Sequence, residues 1–379
     1  MATRKPAALS TRPLAPTSGT AEQPRPRAGG SRQLIDLALQ GGGSHGAFTW
    51  GVLDRLLEDD TLEISGISGT SAGAMNAVAL AAGLMEGGRE GARACLRRFW
   101  ERVSESSPFH HFESGPMGPW TGSQNPWLQQ FTSTWKQASQ LIGSQFSPYQ
   151  LNPLNLNPLR NILADTVDFE RVRACNRTQL FIAATHVATG ELRVFRQAEL
   201  TADMVLASAC LPLLFQAVEI DGEAYWDGGY AGNPTLLPLI AETAADDLLL
   251  VQINPSRRDE VPTQARDILD RASEVTFNAS LLKELRTIGL IKELLEDAGR
   301  PDSCYQRPLF RRVDDLRLHQ LDAEAQLSQF GASSKTQTNW SFLSQLHLIG
   351  RNAADAWLAA NRRHLGQRAT FNLPDPFSG

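Results

Sequence analysis

Cysteine is scarce and unpatterned in this chain. Cys95, Cys175, Cys210 and Cys304 lie far apart with no Cys-x-x-Cys pair. Their spacing suggests neither a zinc site nor a disulfide framework, and it suits a reducing compartment. Long apolar runs are missing too. The longest, Ala74 to Met85, contains Asn76 and is too short to span a bilayer. The N-terminal stretch has no apolar core of the kind a secretory signal needs. There is no excess of positive charge: a net charge of −5 and a pI near 5.9 argue against a nucleic-acid-binding surface. No long internal repeat is visible. What remains is a globular composition, 42% hydrophobic and 20% charged over 379 residues. That is enough for one large domain, or a domain with extensions, around a substantial core.

Residues 1–32 read as a basic, disordered tail. Arg4, Lys5, Arg12, Arg25, Arg27 and Arg32 stand against one acid, Glu22, among frequent prolines. A solvated extension, a targeting peptide and a tether to an anionic membrane all fit that composition. After it, Leu34 to Leu39 reads as a buried strand running into Gly41-Gly42-Gly43-Ser44-His45-Gly46. Phe48, Val52, Leu53, Leu56 and Leu57 then have helical spacing. A second strand is predicted near Leu62 to Ser68, followed by helices over Ala72 to Met85 and over 86–103. Two strand–helix units in succession imply an α/β sheet with a parallel pair.

Residues 104–159 change character, with Pro, Gly, Asn, Gln and Ser around scattered aromatics such as Trp120, Trp127 and Trp135. They read as an insertion, either packed on the surface or forming a lid that faces lipid. Further on, Leu180 to Val187 pairs with Glu191 to Arg196 across Thr189-Gly190, and Ala202 to Cys210 is a short helix. A hairpin turning at Asp221-Gly222 ends in Asp227-Gly228-Gly229. Asp247 to Ile253 is another buried strand. In the helices that follow, Ile268, Ala272, Val275 and Ala279 share a face, as do Leu282, Leu285, Ile288, Ile291 and Leu295. A last helix, about Trp340 to His364, aligns Phe342, Leu346, Ile349, Ala353 and Trp357. All of these read as core-facing stripes.

The chemistry concentrates at Gly69-Thr70-Ser71-Ala72-Gly73, a GxSxG sequence. Alone it is a weak signal, but here it sits between a predicted strand and a predicted helix. In that setting the two glycines permit a tight turn that presents the serine hydroxyl at the top of a sheet, beside a helix N-terminus. The glycine loop also satisfies GxGxxG, so a dinucleotide fold has to be weighed. Such a fold wants an acid at the end of the second strand, where this chain has Ser71 and no carboxylate. The loop is better read as an oxyanion hole whose backbone N–H groups, around Gly41, Gly42, Gly43 and Ser44, are unobstructed. Asp227, at a strand end before two glycines, is the best candidate base, although a simple Asp-Gly turn would explain it equally well in isolation.

Taken together these motifs resemble the patatin-like phospholipase family. Gly41 to Gly46, Gly69 to Gly73 and Asp227 to Gly229 match its glycine loop, GxSxG and late Asp-Gly-[Ala/Gly], in the family's order. Ala207 to Pro212, Phe215 and Asn233-Pro234 are similar as well. The likeness covers about residues 33–255 and leaves the tail and the last third outside it. It implies a three-layer α/β/α fold with a mainly parallel central sheet. Outside the likeness, the apolar stripes make residues 256–379 a helical extension packed on the same domain. It implies acyl-ester hydrolysis by a Ser71–Asp227 dyad, with His45, Gly46, Gly69, Gly73, Gly228 and Gly229 supporting the motifs, and with no metal or cofactor. The substrate would be a lipid ester at a membrane or lipid surface, met by a cytoplasmic or peripherally associated protein. Two departures stand out. His45 occupies a position where the family commonly has Arg or Lys, and Gln40 one where it often has Asp.

Two rival readings remain open on sequence. One is an α/β-hydrolase using His319, His347 or His364 after the aspartate. The other is a catalytically silent lipid-binding or scaffolding protein, which an esterase assay separates from both enzymes.

Overall fold

The computed structural model of the chain describes residues 32–106, 147–258, 260–299, 308–322, 324–327, 330 and 332–375. The tail, most of the aromatic insertion with Trp120, Trp127 and Trp135, and Cys304 lie outside the described residues. Among the described residues eight strands form one sheet: β1 (Gln33–Leu39), β2 (Leu62–Thr70), β3 (Gln179–His186), β4 (Leu192–Arg196), β5 (Val218–Ile220), β6 (Glu223–Asp227), β7 (Asp247–Gln252) and β8 (Arg317–Asp322). The order is β5-β6-β3-β2-β1-β7-β8, with β4 also paired to β3. The central pairs β3–β2, β2–β1, β1–β7 and β7–β8 are parallel. The hairpin pairs β3–β4 and β5–β6, together with β3–β6, are antiparallel.

The described helices are α1 (Gly46–Leu56), α2 (Ala72–Glu105), α3 (Pro148–Leu151), α4 (Pro158–Thr166), α5 (Phe169–Arg173), α6 (Ala202–Ser208), α7 (Leu237–Glu242), α8 (Ala265–Asp297), α9 (Pro308–Asp315), α10 (Glu324–Leu327) and α11 (Trp340–Asn361). Successive strand residues point to opposite faces, and the burial follows that rule. Leu37 and Leu39 of β1 and Leu249 and Val251 of β7 join a core with Phe48 of α1, Leu80 of α2 and Leu346 of α11. Their neighbours Ala38, Leu248 and Leu250 join a second core with Leu239 of α7 and Leu285 and Ile288 of α8. Helices therefore cover both faces, and the architecture is the three-layer α/β/α arrangement. The two helices expected over 72–103 run on as α2 but are divided at Gly87 and Gly88, which leave helical dihedrals.

Three expectations need correction. Residues 256–379 are not purely helical, because β8 extends the parallel sheet beyond β7. The insertion expected over 104–159 ends inside a helix: Asn157 caps α4 by accepting from the Leu159 N–H, and Pro158 takes the first helical position, where no backbone donor is needed. The third concerns α8, whose first apolar stripe faces out. Ile268, Ala272, Val275 and Ala279 are exposed, while Glu274 and Asn278 are buried. Polar partners explain the inversion. Glu274 is paired with Arg258 and Arg271, and Asn278 bonds Gln40 and the Pro255 carbonyl. Further along the helix Leu285, Ile288 and Leu295 do face the core, but Leu281 is buried where the spacing favoured Leu282.

Candidate active site

β2 ends at Thr70 and α2 begins at Ala72, so one residue makes the whole turn. That residue, Ser71, has φ 53° and ψ −119°, a conformation that costs a non-glycine residue about 1–3 kcal/mol unless its surroundings hold it. The surroundings are specific. A Cβ on Gly69 would lie 2.7 Å from the Gly73 carbonyl carbon, and one on Gly73 would lie 2.3 Å from the Leu39 oxygen. Only glycine fits at either place. The Ser71 N–H donates to Ser208 Oγ of α6 at 2.9 Å, and Thr70 Oγ1 donates to the Gly232 carbonyl at 2.7 Å.

Asp227 reaches the same place from another direction. Strand β3 acts as a ruler: Ala183 pairs with Thr70, and the next residue, Ala184, pairs with Asp227. Gly228 lets β6 and β3 lie close here, since a Cβ on it would be 2.2 Å from the Ala183 oxygen. The Asp227 backbone is tied on both sides, its N–H to the Cys210 carbonyl at 2.8 Å and its carbonyl to Thr185 Oγ1 at 2.8 Å. The side chain is fully buried. Oδ1 accepts the Gly229 N–H at 2.7 Å, whereas Oδ2 has no hydrogen bond among the described residues. Burial pushes the carboxyl pKa up to about 7, opposed by the Gly229 N–H and by the Ser71 hydroxyl. The hydroxyl is thus near enough to favour the carboxylate without forming a regular hydrogen bond to it. Such contacts in free enzymes often tighten only when substrate binds.

The glycine loop closes the site. Gly41 lies against the serine: a Cβ on it would be 2.7 Å from Ser71 Cβ. Its N–H donates to Asn233 Oδ1 at 2.7 Å, which removes Gly41 from the set of donors open to an oxyanion. The N–H groups of Gly42, Gly43 and Ser44 make no hydrogen bond among the described residues. Gly43 has φ +59°, which glycine accommodates without strain. A Cβ on Gly46 would sit 2.5 Å from Ala72 Cβ, so the N-termini of α1 and α2 abut and both positive ends meet at Ser71. Gln40 is satisfied at both ends, accepting from the Ile253 and Asn254 N–H groups and donating to Asn278. An aspartate there could not donate.

The histidines lie elsewhere. His45 is buried and bonds Ser334 at 2.7 Å; burial, then the Lys335 charge, lower its pKa to about 4. His319 is wholly buried between Asp247 (2.9 Å) and Thr370 (2.8 Å). Asp247 begins β7 and is bonded by Gln33 at the start of β1, at the opposite end of the strands from Gly41 and Ser71. His347 stacks on Trp50 and approaches Asp54. His364 is half-buried beside Arg363 and Arg368. His186 bonds Thr189 and Glu223. His110 and His111 lie outside the described residues. Among the described residues, then, no histidine is bonded to Ser71 or Asp227.

Sequence reasoning named the motif residues but missed their supports: Ser208, Asn233, Asn254 and Asn278. Ser208 and Asn233 sit in stretches already noted as similar to a family. Asn254 and Asn278 carry no local signal.

The family model described as Patatin-like phospholipase matches residues 37–240, more than half of the chain. The chain belongs to the patatin-like phospholipase family. The matched range includes Ser71, Asp227 and the glycine loop of this patatin-like chain, and it stops before β7. No curated protein matches the chain. Among solved structures, VipD from Legionella pneumophila is similar at 15% identity, with a TM-score of 0.39 over 86% of this chain and 67% of that one.

Proposed function

We propose that this patatin-like protein is a serine acyl hydrolase that cleaves fatty-acyl esters of lipids. The observation that carries the reading is the β3 register, which brings the buried Asp227 carboxyl and the strained Ser71 turn to adjacent positions of one strand. Ser71 Oγ attacks the ester carbonyl while Asp227 takes its proton. The tetrahedral oxyanion is held by the N–H groups of Gly42, Gly43 and Ser44, and the alcohol leaves with the proton from Asp227. Water, deprotonated by Asp227, then releases the fatty acid from Ser71. A carboxyl with a pKa near 7 suits this cycle: it is far more basic than an ordinary aspartate, yet it can return the proton.

A lipid substrate is supported by the surface beside the site. Leu213 and Leu214 follow α6 on the loop that begins at Cys210, the residue bonded to the Asp227 backbone, and are 84% and 51% exposed. Leu154 and Leu156 are exposed nearby, on a segment that Gln216 ties to this loop through the Asn152 carbonyl. Neither 147–159 nor 204–218 contains a charged residue, so these loops suit contact with a lipid surface. No helix among the described residues is long and apolar enough to cross a membrane.

The test is hydrolysis of p-nitrophenyl butyrate and of phospholipid vesicles by the full chain and by Ser71→Ala. Turnover lost by at least about 1000-fold in a folded Ser71→Ala protein supports the reading. An inactive wild type that still binds vesicles would favour the silent lipid-binding alternative.

A further inference from the structure

The glycine loop is held from a part of the chain far beyond the motifs. The turn Ala332–Thr336 lies on Gly43–His45. The Lys335 carbonyl occupies the space over Gly43, where an added Cβ would lie 2.3 Å from that oxygen. Lys335 Nζ donates to Asn254 Oδ1 at 2.7 Å, and Asn254 Nδ2 donates to the Gly41 carbonyl at 2.7 Å. Beside these, Ser334 Oγ bonds His45 Nε2 at 2.7 Å. One short turn thus reaches Gly41, Gly43 and His45 together.

The ammonium is a costly group to keep here. Burial lowers the Lys335 pKa, with Glu274 and Asp270 opposing and Arg258 reinforcing the shift. Glu274 is itself held by Arg258 and Arg271 and is not hydrogen-bonded to Lys335. Lys335 is half-buried as a residue, and a leucine or methionine there would fill a similar volume without desolvating a charge. What the lysine supplies is a directed donor whose hydrogen bond leads through Asn254 to the loop.

We propose that Lys335 is a positioning residue for acyl transfer. Through Asn254 and its own carbonyl it fixes the loop so that the Gly42, Gly43 and Ser44 N–H groups converge on the oxyanion formed at Ser71. The proposal rests on the serine-hydrolase reading above. It makes the region after β8, outside the matched family range, part of the catalytic apparatus. An oxyanion hole acts only when its donors are aligned before the charge develops, so loosening the loop must weaken the transition state more than the bound ester.

The experiment compares the full-length wild type, Lys335→Met, Lys335→Arg, Asn254→Ala and the Lys335→Met/Asn254→Ala double variant. The readouts are steady-state hydrolysis of p-nitrophenyl butyrate and the rate of Ser71 labelling by a fluorophosphonate, with circular dichroism as the folding check. The expected result for Lys335→Met is a kcat about 10- to 100-fold lower with KM within about twofold, and slower labelling to match. Lys335→Arg should recover most of the loss. Asn254→Ala should resemble Lys335→Met, and the double variant should lose no more than either alone, because both act along one path. Wild-type kcat in folded Lys335→Met, or losses that multiply in the double variant, would overturn the proposal. If Lys335→Met does not fold, Asn254→Ala decides on the same kcat and labelling criteria. A wild type that neither turns over nor labels at Ser71 would instead remove the hydrolase reading.

Discussion

Replacing Asp227 by asparagine keeps the shape of the side chain and removes its ability to carry the proton. The structure sets two consequences of opposite sign. Without a base, hydrolysis should fall by about 1000-fold or more. Stability should rise, in a defined pH window. Burial holds the folded pKa at about 7, above the ordinary value of 3.8. Below pH 4 both folded and unfolded chains keep the proton, and the substitution changes little. Between pH 4 and 7 the folded state retains a proton that the unfolded state has lost, so wild-type stability declines as pH rises. Three pKa units at 1.36 kcal/mol each make the decline about 4 kcal/mol by pH 8. The Asp227→Asn variant escapes it, because the amide oxygen can still accept from the Gly229 N–H and the amide nitrogen can donate to Ser71 Oγ. With an unfolding entropy of about 2.1 cal/mol/K per residue, the gain corresponds to a Tm rise of about 5 °C. Calorimetry at pH 4.5 and pH 8 reads the difference directly. Asp36, also raised to about 7 by burial, should give both proteins a common residual slope. If Asp227→Asn is no more stable relative to wild type at pH 8 than at pH 4.5, or if it keeps its turnover, the carboxyl is not the buried base described here.

The pH dependence of kcat/KM on a neutral ester should show one ascending limb with an apparent pKa near 7 and a plateau above it, since Asp227 must be ionised to accept the proton; a profile flat from pH 5 to 9 would contradict this. Ser208→Ala removes the acceptor of the Ser71 N–H, and the orphaned donor should cost about 1–3 kcal/mol of stability together with about a tenfold loss in kcat, checked by urea denaturation and steady-state kinetics. His319→Ala should lower stability by about 2–4 kcal/mol, because Asp247 loses a buried partner. The folded fraction should keep its kcat within about twofold, and a folded but inactive protein would restore the histidine-dependent alternative.

Periodicity and turn chemistry were legible in the chain itself. The short apolar runs of 34–39 and 247–253, the Asp221-Gly222 turn and the helix behind Ser71 are local features, legible from composition and turn chemistry. The GxSxG residues were legible for the same reason, since each glycine answers a contact within a few residues or with the adjacent strand. Long-range register was not. Nothing in residues 179–186 announces that Ala183 and Ala184 measure the separation of Ser71 and Asp227. The polar inward face of α8 was misread because an apolar stripe ordinarily marks the buried side, and it takes Gln40, Pro255 and Arg258, brought from elsewhere, together with Arg271 one turn back on the same helix, to make Glu274 and Asn278 the better residues to bury. Strand β8 and the Lys335 turn belong to the same class. Their positions depend on partners tens to hundreds of residues away, and loop closure leaves no mark on local composition. The sequence by itself determined which side chains could do the chemistry, because reactivity follows from residue type and immediate backbone. Only the tertiary structure decided which of them meet, how deeply Asp227 is buried and hence how basic it is, because burial is a property of everything packed around a group.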